Sequence, residues 1–208
     1  MTDMMMKDFS GRVVSVWDGL RPVTRKMLVG AMQSSSSAPA NSTAKHFYDA
    51  HADWEVSRLL TALDEESTEA GIRRDSAKLS EIEHLADTCV KVLEDQTGSA
   101  EVFIQLAERA LRENDYDHLD KLVDRLAERF SVGEIAEIIR QTNLPQIRAV
   151  AYETLAMLPL QTVLPLLDDP LYAGIAANCL EQKAFEFDSD EARDILEQFD
   201  SENETNGE

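Results

Sequence analysis

The sequence is poor in positive charge, in cysteine and in glycine, and it has no long apolar run. Only 20 Lys and Arg stand against 40 Asp and Glu, for a formal net charge of -20. A chain of that sign repels phosphate backbones and anionic headgroups, so no nucleic-acid partner is expected. The first effect of the charge is solubility; beyond that, its long-range field favours a basic partner. The two cysteines, Cys89 and Cys179, are far apart and both fall in apolar helical patterns. They form no visible disulfide framework, and buried free thiols suit a reducing cytoplasm. No stretch approaches the about 18 to 20 apolar residues of a membrane span, so no integral span is expected. The opening Met1 to Met6 lacks the charged-then-apolar order of a secretion signal. Phosphate loops and nucleophile elbows are missing too, and the sequence suggests neither a cofactor nor a catalytic residue.

What the sequence does have is helical periodicity. From Thr43 onward, apolar residues recur at intervals of three and four. Tyr48, Ala52, Val56, Leu59, Leu60 and Leu63 share one face of a first helix, which Asp64-Glu65-Glu66 or Gly71 ends. A second runs from about Ser76 to Gln96, with Leu79, Ile82, Ala86, Cys89 and Leu93 forming a narrow seam. Thr97-Gly98-Ser99 breaks the chain, with Gly98 as C-terminal stop and Ser99 as the next N-cap. Phe103, Leu106, Ala110 and Leu111 then point inward, and Asn114-Asp115 marks another break. Leu119, Leu122, Val123, Leu126 and Phe130 fill a fourth helix; Ser131-Val132-Gly133-Glu134 has the form of a capping box. Pro145 opens a helix, Pro159 and Pro165 cut the next apolar stretch short, and Asp169-Pro170 opens one more. Asp188-Ser189-Asp190-Glu191 caps the last helix, carrying Ile195, Leu196 and Phe199.

These signals predict an all-α helical domain over residues 45–199, with a disordered acidic tail at 200–208. Residues 1–44 read as a flexible segment ending in a Ser-rich linker, with a docking peptide as its functional alternative. Gly11, Gly19, Pro22 and Gly30 interrupt it, and Val13 to Trp17 is its one β-like run. Trp17 with Arg21 to Lys26 raises the idea of a peripheral membrane contact.

Two segments repeat. Leu144 to Leu155 and Asp169 to Leu180 match in proline, an aliphatic residue, alanine and leucine, 25 positions apart. Small residues let neighbouring helices approach closely, and stacked helix pairs bury faces that none buries alone. Over about residues 114–199 this resembles the HEAT-like α-solenoid class, although the offset is short and the Leu160 to Leu167 helix is barely two turns. The resemblance implies stacked antiparallel helix pairs and protein binding along a groove. An irregular helical bundle is the other architecture the periodicity allows.

Candidate chemistry is sparse. His46 and His51, like His84 and Cys89, are five apart and diverge by about 140° around a helix. His118 near Asp115, Asp117 and Asp120 has no converging spacing either, so no metal ligands are expected. Asp64-Glu65-Glu66 and the 188–191 cluster lack the twelve-residue calcium loop and read as caps and solvated helix ends. Phe47 and Trp54, then Tyr116 and Tyr152, are the candidate partner-binding aromatics, because aromatic anchors dominate interfaces. The expected function is a non-catalytic interaction module or scaffold binding another protein; the alternative is a small-molecule-binding protein or enzyme with a pocket between helices.

Overall fold

The breaks in the sequence become helix ends. The computed structural model describes residues 9–34 and 48–205, and among these every regular element is helical, with no strand. The chain divides after Thr97 into two compact units, Met1–Thr97 and Gly98–Glu208.

Unit 1 begins earlier than periodicity suggests. Helices α1 (Gly11–Gly19) and α2 (Pro22–Ser34) occupy much of the segment read as flexible. They precede α3 (Ala50–Ser67), a 3-10 turn at Ile72–Arg74 and α4 (Ser76–Gln96). Gly11, Gly19 and Pro22 lie at helix termini, where they punctuate rather than interrupt; only Gly30 is interior. Ser10 caps α1, its hydroxyl accepting from the Val13 amide. Val13, Trp17 and Leu20 are spaced by four and three and are all buried, so packing overrides the β-branched propensity of that run. Trp17, only 3% exposed, is a core residue and no membrane anchor. Thr24 and Leu28 bury the inner face of α2.

α3 packs along α4, α1 lies on α3, and α2 touches both α3 and α4. That extra neighbour explains why α4 buries a broad face, Ile82, Leu85, Ala86, Cys89, Val90 and Leu93, instead of a narrow seam. α3 also runs through Asp64-Glu65-Glu66 to Ser67 instead of ending there. It stops where the Thr68 amide donates back to Glu65 and Glu66 carbonyls.

Unit 2 contains α5 (Ala100–Glu113), α6 (Tyr116–Arg129), α7 (Val132–Gln141) and α8 (Pro145–Met157). A one-turn α9 (Leu160–Val163) runs into a 3-10 turn at Leu164–Asp168, followed by α10 (Ala173–Phe185) and α11 (Asp190–Thr205). α11 thus continues into the stretch expected as a disordered tail. Asn114, at φ 57°, takes the left-handed conformation that ends α5. Gly98 is no such stop: α4 ends on an extended Thr97. At the start of α5 the free Ala100 amide is met by the Glu134 carboxylate of α7 at 2.6 Å. The capping box is therefore half local. Ser131 accepts from Glu134 N, while the Glu134 side chain serves a different helix.

Neighbouring helices pair as α5 with α6, α7 with α8 and α10 with α11. Next-but-one helices also touch, α5 with α7, α6 with α8 and α8 with α10. This ladder is compatible with a helical repeat. The 25-residue offset falls on the packed helices α8 and α10, where Ala151 matches Ala176, Thr154 matches Cys179 and Leu155 matches Leu180, all buried. Each fully buried Leu in such a layer contributes about 1.5–3 kcal/mol. Their starts differ. Pro145 occupies the first turn of α8, whereas Pro170 precedes α10 within a turn. There Asp169 accepts from the Leu171 amide by its side chain and from Tyr172 and Ala173 by its carbonyl. Leu160, Leu180, Ala184 and Ala192 close the far end of the unit, with Ile195 and Leu196 of α11 packed against them.

Candidate partner-binding surface

Three places concentrate chemistry or exposed apolar surface. The first is a set of buried acids on α3. Glu55 is 2% exposed and lies at the start of α2. Its Oε1 accepts from the Arg21 amide at 2.6 Å, and its Oε2 accepts from Arg21 Nε at 3.0 Å and from the Thr24 hydroxyl. Burial pushes the Glu55 carboxyl upward, but the Thr24 and Arg21 hydrogen bonds outweigh it and hold it below the usual glutamate value. Arg21 also forks onto Asp49, at 3.0 and 2.6 Å, and that pairing with the Ala52 amide drops the Asp49 carboxyl far below its ordinary value. Glu66, 3% exposed, repeats the arrangement one helix earlier. It accepts from the Ser10 amide at 2.8 Å and the Ser10 hydroxyl at 2.7 Å, at the N-terminus of α1. Glu66 is therefore a buried partner of α1, not the solvated helix end expected. Asp53 receives the Tyr48 hydroxyl; burial first, only partly offset by hydrogen bonds from Tyr48 and Thr97, raises its carboxyl. Asp49, Glu55 and Glu66 clamp helix termini that would otherwise leave amides unsatisfied, which is structural work.

The thiols are inert. Cys89 is fully enclosed and burial pushes it up to about 12; Cys179 rises to about 11 for the same reason, with Lys183 pulling the other way. Lys183, 8% exposed, donates to the Ala156 and Leu158 carbonyls at 2.5 Å each and so caps the C-terminus of α8. Among the described residues no three His, Cys, Asp or Glu side chains gather as metal ligands. No helix among them is long and apolar enough to cross a membrane.

The second place is Trp54 on unit 1. Half exposed, it carries the Arg58 guanidinium over its ring at 4.7 Å and the His51 ring edge-on at 5.6 Å. With Leu20, Glu55 and Arg58 it borders a small cavity of about 120 Å³.

The third place is on unit 2 and combines more features. Tyr152 of α8 and Asn178, Glu181, Gln182, Phe185 and Glu186 of α10 and its C-terminus line an open groove of about 530 Å³. Phe185 is 77% exposed, and Phe187, just beyond it, 47%. The rings are not on a frayed end. The Glu186 and Phe187 amides donate to the Gln182 carbonyl at 2.8 and 3.3 Å, and Ser189 N donates to the Lys183 carbonyl at 3.0 Å. Asp188, at φ 53°, turns the chain, and Ser189 caps α11. Arg193 straps the turn from α11, donating to Asp188, to Asp190 and to the Ala184 carbonyl. Two large apolar rings are thus held outward on a fixed turn. Across the groove the Asn178 amide approaches the Tyr152 hydroxyl at 3.4 Å, and along α10 Gln182 donates to Glu186, one turn on, at 2.9 Å.

Of the aromatics singled out from the sequence, Tyr152 lies in this groove. Trp54 forms the separate unit 1 feature, Tyr116 is exposed at the start of α6, and Phe47 lies outside the described residues. Phe185 and Phe187 were missed, and the phase of Phe185 is informative only once the core face of α10 is known. Phe185 comes nine residues after the buried Ala176, about half a turn out of phase at about 100° per residue. A large apolar residue opposite the core face of its helix has no intramolecular reason to be there. Comparison of the chain with family models, with curated proteins and with solved structures finds no match.

Proposed function

We propose that this chain is a non-catalytic, cytoplasmic protein-interaction module, and that unit 2 holds its partner in the groove between Tyr152 and Phe185. The observation that carries the reading is the pair of exposed phenylalanines on a hydrogen-bonded turn. Burying a ring of that size in a partner gains about 1.5–3 kcal/mol, and a turn already fixed loses little entropy on binding. The ladder of helix pairs supports a HEAT-like scaffold, whose stacked helices present such grooves. The inert thiols and the hydrogen-bonded buried acids favour binding over covalent or acid–base chemistry. The strong negative charge favours a protein over a nucleic acid as partner.

The test compares affinity capture by the full chain and by its Phe185→Ala variant under identical conditions. Proteins that depend on the site fall by about tenfold or more on the variant, as hot-spot truncation does. An identical recovered set on both baits contradicts the reading.

A further inference from the structure

We infer that the occupant of the unit 2 groove is a basic amphipathic helix, with apolar residues against Phe185 and Tyr152 and Lys or Arg against Glu181 and Glu186. The inference rests on the reading of unit 2 as an interaction surface and names the chemistry of its partner. Charge complementarity carries it. Among the described residues lining the groove, two are carboxylates, three are neutral polar or phenolic, one is the exposed phenylalanine and none is basic. The one lysine in this stretch of α10, Lys183, points away to cap α8 and leaves the acidic face uncompensated. Glu181 lies one helical turn from Phe185, and Glu186 follows it directly, so acid and ring share one ledge. A helix with an apolar stripe flanked by cations meets both features at once, the mode by which amphipathic helices dock in grooves. The chain's net charge of -20 adds long-range attraction for that partner and repels an acidic one.

The experiment uses the full chain and three fluorescein-labelled helical peptides of equal length. One is a Leu/Lys amphipathic helix, one its Leu/Glu counterpart, and one a Lys/Gln helix without the apolar stripe. Binding is followed by fluorescence anisotropy at low and physiological salt. The Leu/Lys peptide binds saturably, weakens as salt rises, and loses about tenfold in affinity on Phe185→Ala. It loses several-fold on Glu181→Gln/Glu186→Gln, while the other two peptides bind far more weakly. Because Phe185, Glu181 and Glu186 are exposed, these variants keep the fold, which circular dichroism verifies. Equal binding of the Leu/Glu peptide overturns the inference, as does Leu/Lys binding that Phe185→Ala leaves unchanged. A concentration-dependent dimer that Phe185→Ala abolishes, seen by sedimentation, also overturns it by making a second copy the occupant. If the peptides fail while Phe185-dependent capture persists, the partner chemistry is wrong and the interaction surface stands; if capture is lost as well, both fall.

Discussion

The two units solve the same problem, the free ends of short helices, by different chemistry. Unit 1 uses buried carboxylates. Glu55 and Glu66, both on α3, reach back to the starts of α2 and α1, and so bind residues 9–34 to the rest of the unit. Unit 2 relies on in-phase apolar layers between α8 and α10, with Glu134 and Lys183 each closing one helix end. Unit 1 thus turns carboxylates inward, keeps Trp17 in its core and leaves Trp54 half exposed beside Arg58 and His51, whereas unit 2 turns two large rings outward at Phe185 and Phe187. The contrast assigns stability to the buried acids and recognition to the exposed aromatics.

The largest expected effect tests the apolar half of that contrast. Leu180→Ala opens a cavity in the α8–α10 layer and lowers the stability of unit 2 by about 2–5 kcal/mol. Denaturant unfolding followed by circular dichroism measures it. Both tryptophans belong to unit 1, so their fluorescence midpoint shifts less than the circular dichroism midpoint.

Next is Glu55→Ala. It strands the Arg21 amide and the Thr24 hydroxyl, and because Arg21 is one-third exposed the cost falls near the low end for a broken buried pair, about 2–3 kcal/mol. Tryptophan fluorescence reads it, and a midpoint unchanged from the parent's would show that α2 is held by apolar contacts alone.

Acid gives a reversible version of the same test. The folded Glu55 carboxyl titrates below its ordinary value of 4.5, so its contribution is complete above that pH and disappears as the pH falls through the folded value. Asp53 runs the other way: its folded carboxyl titrates above 3.8, so it disfavours the fold at neutral pH and that penalty lifts on acidification. Stability read by tryptophan fluorescence therefore falls more steeply on acidification in Asp53→Asn than in the parent chain, because the variant lacks the relief that Asp53 supplies.

The smallest effect is the most diagnostic. Phe185→Ala changes stability by no more than about 0.5 kcal/mol, because the ring is mostly in solvent. A larger loss would make Phe185 a structural residue.

Much of unit 2 was legible in the sequence. The Asn114 break, the Ser131 cap, the first-turn Pro145 and the 25-residue register all have local causes that a periodicity reading captures. Unit 1 was less so. Its α1 and α2 are short and contain three glycines between them, and they are stabilised by Glu55 and Glu66, partners 34 and 56 residues away. Nothing local in Ser10 or Arg21 announces those bonds. The groove was legible only through Tyr152. Phe185 carries its information in phase against the core of α10, and that core is defined by contacts with α8 and α11.

The most direct measurement places a photo-crosslinking amino acid at position 185 and, as a control, at the exposed Arg74 of unit 1, in the full chain in its native cell. The account predicts discrete protein adducts from position 185 and none of the same adducts from position 74. Identical adducts from both positions, or no adduct from position 185, would contradict it.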